Sequence, residues 1–429
     1  MKKLLKSSVV ATLLIGATAH SAGFEKTVFW SGHYTGIVGA ASSVVKGADS
    51  LYFNPAGLAD NSQMASVSLN FSPTFAKFSG PIAVSGTTVN GNTTFSPVGA
   101  ALASYHLTDQ LAVGVGYFVT GGSKNQFDNT DFSAISPAYA TFKEPIKLDL
   151  AVTEFSLGAG YAVTDALKIG AAWRISKVHA ALASVGGSAA TAIQAVQLDN
   201  LTATRYNGFR LGAQYAPKDS GWGVGANVRT PVSFIAKGDI TSAKLRLGTG
   251  TDATTTIADK SASASSEFPL QISIGAFYDV GTEKKFRIIP EYTFTRYAVD
   301  KQIDLTGSFT ATGVGTRNLA TTPFVQGWKN QNNFRLGVEH YCMPDTVLRA
   351  GYALTTQVTP TDHARAAFDA PGTGNTFVIG AGKVIASNIT LDGALEYSRA
   401  SGSGTNDLGK TGDFVAKAYD AHLSVGYGF

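Results

Sequence analysis

The chain has 429 residues, a formal net charge of +4, 15% charged residues, 10% aromatics and 47 glycines. Charge this sparse lies well below the roughly 25% of ordinary soluble domains, and no basic run points to nucleic acid. Beyond the N-terminus no apolar run approaches the ~18 residues of a transmembrane helix, so the composition favours a transmembrane β-barrel.

In chain order, the basic "MKKLLK" and the short apolar "VVATLLIGA" predict a secretory signal peptide over 1–21. Ala19 and Ser21 supply small residues at −3 and −1 for a cut after Ser21, and a cut after Ala19 is the alternative. Residues 22–63 show no alternation, yet they carry Trp30, Tyr34, Leu51, Tyr52 and Phe53, too apolar for a solvated tail. They end in "SLYFNPAGLAD", where the Asn54-Pro55 step predicts a turn continuing through Ala56 and Gly57.

From 64 to 429 the pattern has period 2. In "FVAKAYDAHLSVGYGF", Val415, Tyr419, Ala421, Leu423, Val425, Tyr427 and Phe429 share one face, while Ala416, Asp420, His422 and Ser424 share the other. "KIGAAWRIS" and "NGFRLGAQY" repeat the pattern and turn Arg174 and Arg210 inward. The same count turns Arg229, Arg287, Arg335, Arg349, Glu154, Glu291, Glu339 and Glu396 inward, the composition of a stabilising lumen network. The segments 65–77, 96–107, 110–120, 147–163, 166–182, 205–217, 222–239, 267–280, 285–306, 332–342, 346–357, 375–384, 388–401 and 414–429 predict an antiparallel outer-membrane barrel of fourteen strands. An even number returns both termini to the periplasm, with short turns there and longer connections (183–204, 240–266, 307–331, 402–413) outside. Pro231 and Pro290 each predict a bulge or a strand tilting away from its neighbour. Cys342 is alone, and no catalytic, cofactor or metal-binding spacing is present.

Three stretches carry a family resemblance: "AGFE" at Ala22, "GADSLYFNPAGLA", and "GWKNQNNFRLGVEHY" followed by "VLRAGYAL". In these the chain resembles the FadL family of outer-membrane transporters for long-chain fatty acids and other hydrophobic compounds, including the OmpP1- and TodX-like members. The resemblance implies an N-terminal hatch of short helices over 22–63 that plugs a fourteen-stranded barrel over 64–429. It implies a first site in extracellular loops, a tighter lumen pocket, and sideways exit at a kink of the third strand, where Gly121 and Gly122 stand. Loop 183–204 takes the place of a helical extracellular loop, with Ile193, Val196 and Leu198 as an apolar surface. Lys329 aligns with one basic substrate residue of the family. Lys177 falls near another, although alternation points Lys177 outward unless a bulge intervenes and gives the inward place to Arg174. The terminal Phe429 resembles the signal read by the barrel assembly machinery. Expected partners are a hydrophobic solute, outer-membrane lipid or lipopolysaccharide and that machinery, acting on a monomer. Passive uptake is the expected function. A surface adhesin or receptor whose long loops bind partners is the alternative.

Overall fold

The computed structural model describes residues 30–82, 88–133, 135–188, 192–283, 285–319, 324–367, 371–406 and 409–429. The signal-peptide reading, both cleavage points and residues 22–29 lie outside them.

Fourteen antiparallel strands close into one barrel. They are β1 (Ala65–Pro81), β2 (Thr94–His106), β3 (Leu111–Asp131), β4 (Lys143–Ala162), β5 (Leu167–Ser188) and β6 (Ala192–Tyr215). β7 runs as Trp222–Arg229 and Val232–Leu247, broken at Pro231, and β8 as Ser261–Phe268 and Gln271–Val280. There follow β9 (Phe286–Thr295), β10 (Gln331–Met343), β11 (Thr346–Thr355), β12 (Thr373–Ala386), β13 (Ile389–Thr405) and β14 (Thr411–Gly428). Each strand pairs with its chain neighbour, and β14 pairs back onto β1 from Ser66↔Gly428 to Ser79↔Val415. At that seam the Ala65 N–H donates to the Phe429 carbonyl across 2.8 Å, and the Phe429 N–H returns to Ala65 across 3.0 Å. Closure gives every strand two neighbours, as a sheet in hydrocarbon requires. Among the described residues no helix is long and apolar enough to cross a membrane.

The alternation read from the sequence is the barrel wall. Leu69, Phe71 and Phe75 on β1 and Tyr419, Leu423 and Val425 on β14 are exposed, while Asn70, Ser72, Asp420 and His422 between them are buried. Tyr427 and Tyr419 belong to two outward aromatic belts. Eight residues at about 3.4 Å each, tilted by about 40°, put the belts about 20 Å apart, near the ~25 Å band of outer-membrane barrels.

Several boundaries differ from expectation. The described residues of 183–204 are strand rather than helix: β5 continues to Ser188 and β6 runs from Ala192, with Ser184↔Val196 in register. Val196 and Leu198 also pair with Ala243 and Ile240 of β7, so this β-prone stretch lengthens the wall. Pairing extends β7 to Leu247 and β3 to Asp131, and β9 stops at Thr295 before a 3-10 turn at Tyr297–Val299. The stretch 307–331 includes strands at Ser308–Ala311 and Gly315–Asn318, which form a small separate sheet with Thr255–Thr256. Pro290 makes no bulge: β9 stays in register with β10 through Pro290↔Leu336.

The N-terminal segment lies inside the barrel. It consists of α1 (Gly32–Gly36), a 3-10 turn at Gly47–Asp49, α2 (Ser50–Phe53) and a second 3-10 turn at Pro55–Ala59. Inward glycines make room for it. A Cβ at Gly212 on β6 would overlap the Asn54 Oδ1, and one at Gly170 on β5 would overlap the Pro55 carbonyl. Gly160, Gly225, Gly337 and Gly351 face the segment backbone in the same way. Glycine is abundant here partly because the wall needs close backbone approach.

Candidate functional site

The lumen is stratified along the strands, from the termini toward the hairpin tips. β4 reads Gly160, Gly158, Ser156, Glu154, then Val152, Leu150 and Leu148 on its inner face. β5 reads Gly170, Ala172, Arg174, then Val178 and Leu182. β7 reads Gly225, Asn227, Arg229, then Val232 and Phe234. Small residues come first, then charges, then apolar side chains.

The lowest layer seats the N-terminal segment. Asn54 is fully buried, and its Nδ2 donates to the carbonyls of Ser42 (2.7 Å), Ala213 (3.0 Å) and Ala226 (3.2 Å). Its Oδ1 accepts from the Ala56 N–H at 3.2 Å, so one side chain caps the turn that begins at Pro55 and ties it to β6 and β7. Trp30 packs against Tyr52, Phe53 and Phe118, with ring centroids 5.1, 5.9 and 5.5 Å away. Burial pushes the Asp49 carboxyl up to about 6, only partly countered by a hydrogen bond with Ser68. Burial acts the same way on Asp60, but the Lys168 ammonium 2.7 Å away outweighs it and holds Asp60 at about 2.

The middle layer is charged. Glu154 accepts from Arg174 Nε at 2.7 Å and from Arg210 Nη1 at 3.0 Å, and all three side chains are buried. Glu291 accepts from Arg335 Nη1 at 2.6 Å and from the Ser42 N–H at 2.7 Å, so a wall ion pair also holds the inserted segment. Arg210, Arg229, Glu291 and Arg335 line a cavity of about 20 Å³ beside Tyr52 and Phe53, enough for about one water.

The upper layer is apolar. Leu150, Val152, Val178, Val232, Phe234, Phe268, Tyr297 and Trp328 belong to one buried cluster. The Phe234 and Phe268 rings lie 4.8 Å apart, and Tyr297 meets Trp328 edge-on at 5.4 Å.

The seam between β2 and β3 is interrupted. β1 and β2 pair from Ala65↔Tyr105 to Ala76↔Thr94, but β2 and β3 pair only from His106↔Ala112 to Ala100↔Phe118. Contact resumes where the Asn92 N–H donates to Gln126 and Thr94 Oγ1 donates to Lys124, both at 2.8 Å. Between these limits Pro97 has no N–H to offer, and Thr120 bulges out of the β3–β4 register. The alternation fails there, with Phe118 to Gly122 buried in succession.

The residues singled out in the sequence separate. Asn54, Pro55, Ala56 and Gly57 are buried together at the base of the lumen. Gly121 and Gly122 flank the Thr120 bulge. Arg174 reaches the charged layer, but Lys177 faces outward and is exposed, because the register shift between Arg174 and Ser176 adds its extra residue to β6 and leaves the alternation of β5 intact. Lys329 is also exposed, and its neighbour Trp328 enters the apolar cluster instead. Ile193 packs with Phe132, Tyr139 and Phe142, while Val196 and Leu198 are buried in the upper cluster, so the three do not form an open surface. Phe429 sits at the closing seam. Glu396, Asp420 and His422 bring ligand-capable atoms within 4.8 Å of one another. His422 meets Ser72 at 2.8 Å and lies 3.5 Å from Glu396. The trio comes from two strands, which no sequence spacing announces.

Comparisons with known proteins agree with this architecture. The family model described as outer membrane protein transport protein (OMPP1/FadL/TodX) matches residues 12–426. A search for related curated proteins found no match. Among solved structures, a FadL homologue of Pseudomonas aeruginosa is 16% identical with a TM-score of 0.73, covering 95% of this chain and 100% of that one. The toluene transporter TodX of Pseudomonas putida is 14% identical with a TM-score of 0.72, covering 96% and 100%. The toluene transporter TbuX of Ralstonia pickettii is 16% identical with a TM-score of 0.68, covering 92% and 97%. Identities this low speak for a shared fold.

Proposed function

The chain belongs to the OMPP1/FadL/TodX family of outer-membrane transport proteins, and from that premise we propose that it carries hydrophobic molecules passively through the barrel lumen. It is an integral β-barrel of the outer membrane. The observation that carries the reading is the order of layers: an apolar chamber toward the hairpin tips stands over a charged floor and an inserted segment.

We take residues 22–63 as a hatch and 64–429 as the barrel. A hydrophobic solute crosses the polysaccharide surface poorly and gains by entering an apolar chamber. The charged floor, the glycine-seated hatch and the Asn54 tether oppose straight passage toward the periplasm. The interrupted β2–β3 seam offers a sideways route, because unpaired strand stretches need no hydrogen bonds broken for the wall to part there. In this reading Gly121, Gly122 and the Thr120 bulge form the exit, and Trp30 is its inner stop. Fatty acids and aromatic hydrocarbons are the solute classes to try. No residue is assigned a catalytic role.

Uptake of radiolabelled oleate and of toluene, compared in cells lacking the gene and in complemented cells, tests the proposal. A difference for at least one solute is expected. No difference for either overturns transport and leaves the surface adhesin or receptor reading.

A further inference from the structure

The outer wall carries a charged arrangement that transport does not use. Lys77 on β1 stands directly opposite Lys417 on β14, and Lys417 stands opposite Arg399 on β13. All three side chains are exposed, while their chain neighbours Ala76, Phe78, Ala400, Ala416 and Ala418 are buried. The three therefore share the outward face. With neighbouring strands about 4.8 Å apart, they form a row about 10 Å long.

Like charges directly opposite one another on adjacent strands are destabilising. The neighbouring rungs offer no carboxylate to relieve these. The rung toward the termini holds Phe75, Tyr419 and Tyr397, and the rung toward the hairpin tips holds Ser79, Val415 and Ser401. Wall cations elsewhere do find carboxylates, as Lys143 finds Asp131 at 2.8 Å. Among the described residues, Lys77, Arg399 and Lys417 make no such pair.

The height of the row identifies its partner. It lies one rung, about 7 Å along the strands, beyond the aromatic belt of Phe75, Tyr397 and Tyr419. Aromatic belts mark the boundary between hydrocarbon and headgroups. Both termini and the short turns lie at the opposite end of the strands, which makes this the outer-leaflet boundary. A ligand here must lay acyl chains on the apolar band and raise an anion to the row. We infer that Lys77, Lys417 and Arg399 bind the phosphate of a multiply acylated, phosphorylated glycolipid of the outer leaflet. One lysine and one arginine flank the central Lys417, so a single phosphate at the middle of the row meets all three charges, and arginine adds planar two-point contacts.

The test uses the full barrel, stripped of lipid in detergent and mixed with bis-phosphorylated lipid A, dephosphorylated lipid A or inorganic phosphate. Bound lipid is read by native mass spectrometry and stability by thermal unfolding. At roughly fivefold per cation, the triple variant K77Q/R399Q/K417Q should hold bis-phosphorylated lipid A about a hundredfold more weakly. Without lipid, Lys417→Gln should melt no lower than the native chain, because it relieves repulsion. With bis-phosphorylated lipid A the order should reverse. Equal retention by the triple variant overturns the inference. So does equal binding of the dephosphorylated lipid, or an equal shift with inorganic phosphate, which marks a free-anion site only. Heat-modifiable migration verifies the fold of each variant, and unchanged solute uptake separates this surface from the lumen.

Discussion

The indole Nε1 of Trp30 donates to the carbonyl oxygen of Val119 across 3.0 Å. Val119 directly precedes the Thr120 bulge and directly follows Phe118, the last residue of β3 paired with β2. The inserted segment thus caps a carbonyl at the point where the wall ladder stops. The relationship ties the inserted segment to the interrupted seam through one hydrogen bond and a set of ring contacts.

Trp30→Ala should loosen that cap. Truncating a fully buried tryptophan typically costs about 3–5 kcal/mol, and here the loss falls on the hatch, because no wall hydrogen bond between strands is removed. The expected result is a barrel that still migrates as heat-modifiable, with faster entry of a hydrophobic fluorescent dye. Trp30→Phe, which keeps the ring and deletes the donor, should give a smaller increase. Unchanged dye entry in both variants would contradict the role of Trp30.

Asn54→Ala should undock the segment more than Pro55→Gly. The alanine leaves the buried carbonyls of Ser42, Ala213 and Ala226 without the Asn54 donor, at about 1–3 kcal/mol for such groups, whereas Pro55→Gly mainly frees a backbone angle. Limited proteolysis of residues 30–60 in detergent provides the measure. Gly212→Val should act in the same direction, because its side chain would occupy the place of the Asn54 Oδ1.

Arg335→Gln should be more harmful than the double change Arg335→Gln with Glu291→Gln. Breaking a buried pair by removing one partner costs about 3–5 kcal/mol, because a charge is left uncompensated. The single variant removes the Arg335 charge from the buried Glu291 carboxylate, which keeps the Ser42 N–H. Thermal unfolding of both variants in detergent checks the order.

Docking of the hatch should strengthen in mild acid. The Asp49 carboxyl is pushed up to about 6 in the folded chain, against about 3.9 unfolded. Between those values the docked state binds more protons, so its stability is greatest below about pH 4 and declines as pH rises through about 6. The effect is about 1–3 kcal/mol. Asp60, held at about 2, works oppositely, but its contribution is lost only as pH falls below about 4. Protease resistance of residues 30–60 should therefore be greater at pH 5 than at pH 7.5, and Asp49→Asn should abolish the difference.

Much of this was legible in the residues. The alternation through Leu423, Val425 and Tyr427 needs only the strand period, so the strands, their number and the inward turn of Arg174 and Glu154 followed directly. The extent of β5 and β6 did not, because the alanines and glycines of 183–204 read as loop and their pairing with β7 is a tertiary fact. The Thr120 bulge was invisible, since neither Val119 nor Thr120 is a residue type that marks one, although Gly121 and Gly122 signalled the neighbourhood. The exposed Lys177 follows from plain alternation, which the expectation of a bulge had set aside. The role of Gly170 and Gly212 depends on a segment more than a hundred residues earlier, so periodicity showed where they point but not why they are small.

The central claim is that solutes leave through the β2–β3 seam. Cysteines introduced at Phe95 and Ser123 in a Cys342→Ser chain, bridged by a short bis-maleimide, would clamp that seam while leaving the lumen and its extracellular mouth open. Uptake of oleate and toluene is the measurement. Strong loss of uptake on bridging, with full uptake in the unbridged double-cysteine chain, is the predicted result. Undiminished uptake in the bridged barrel would contradict a sideways exit.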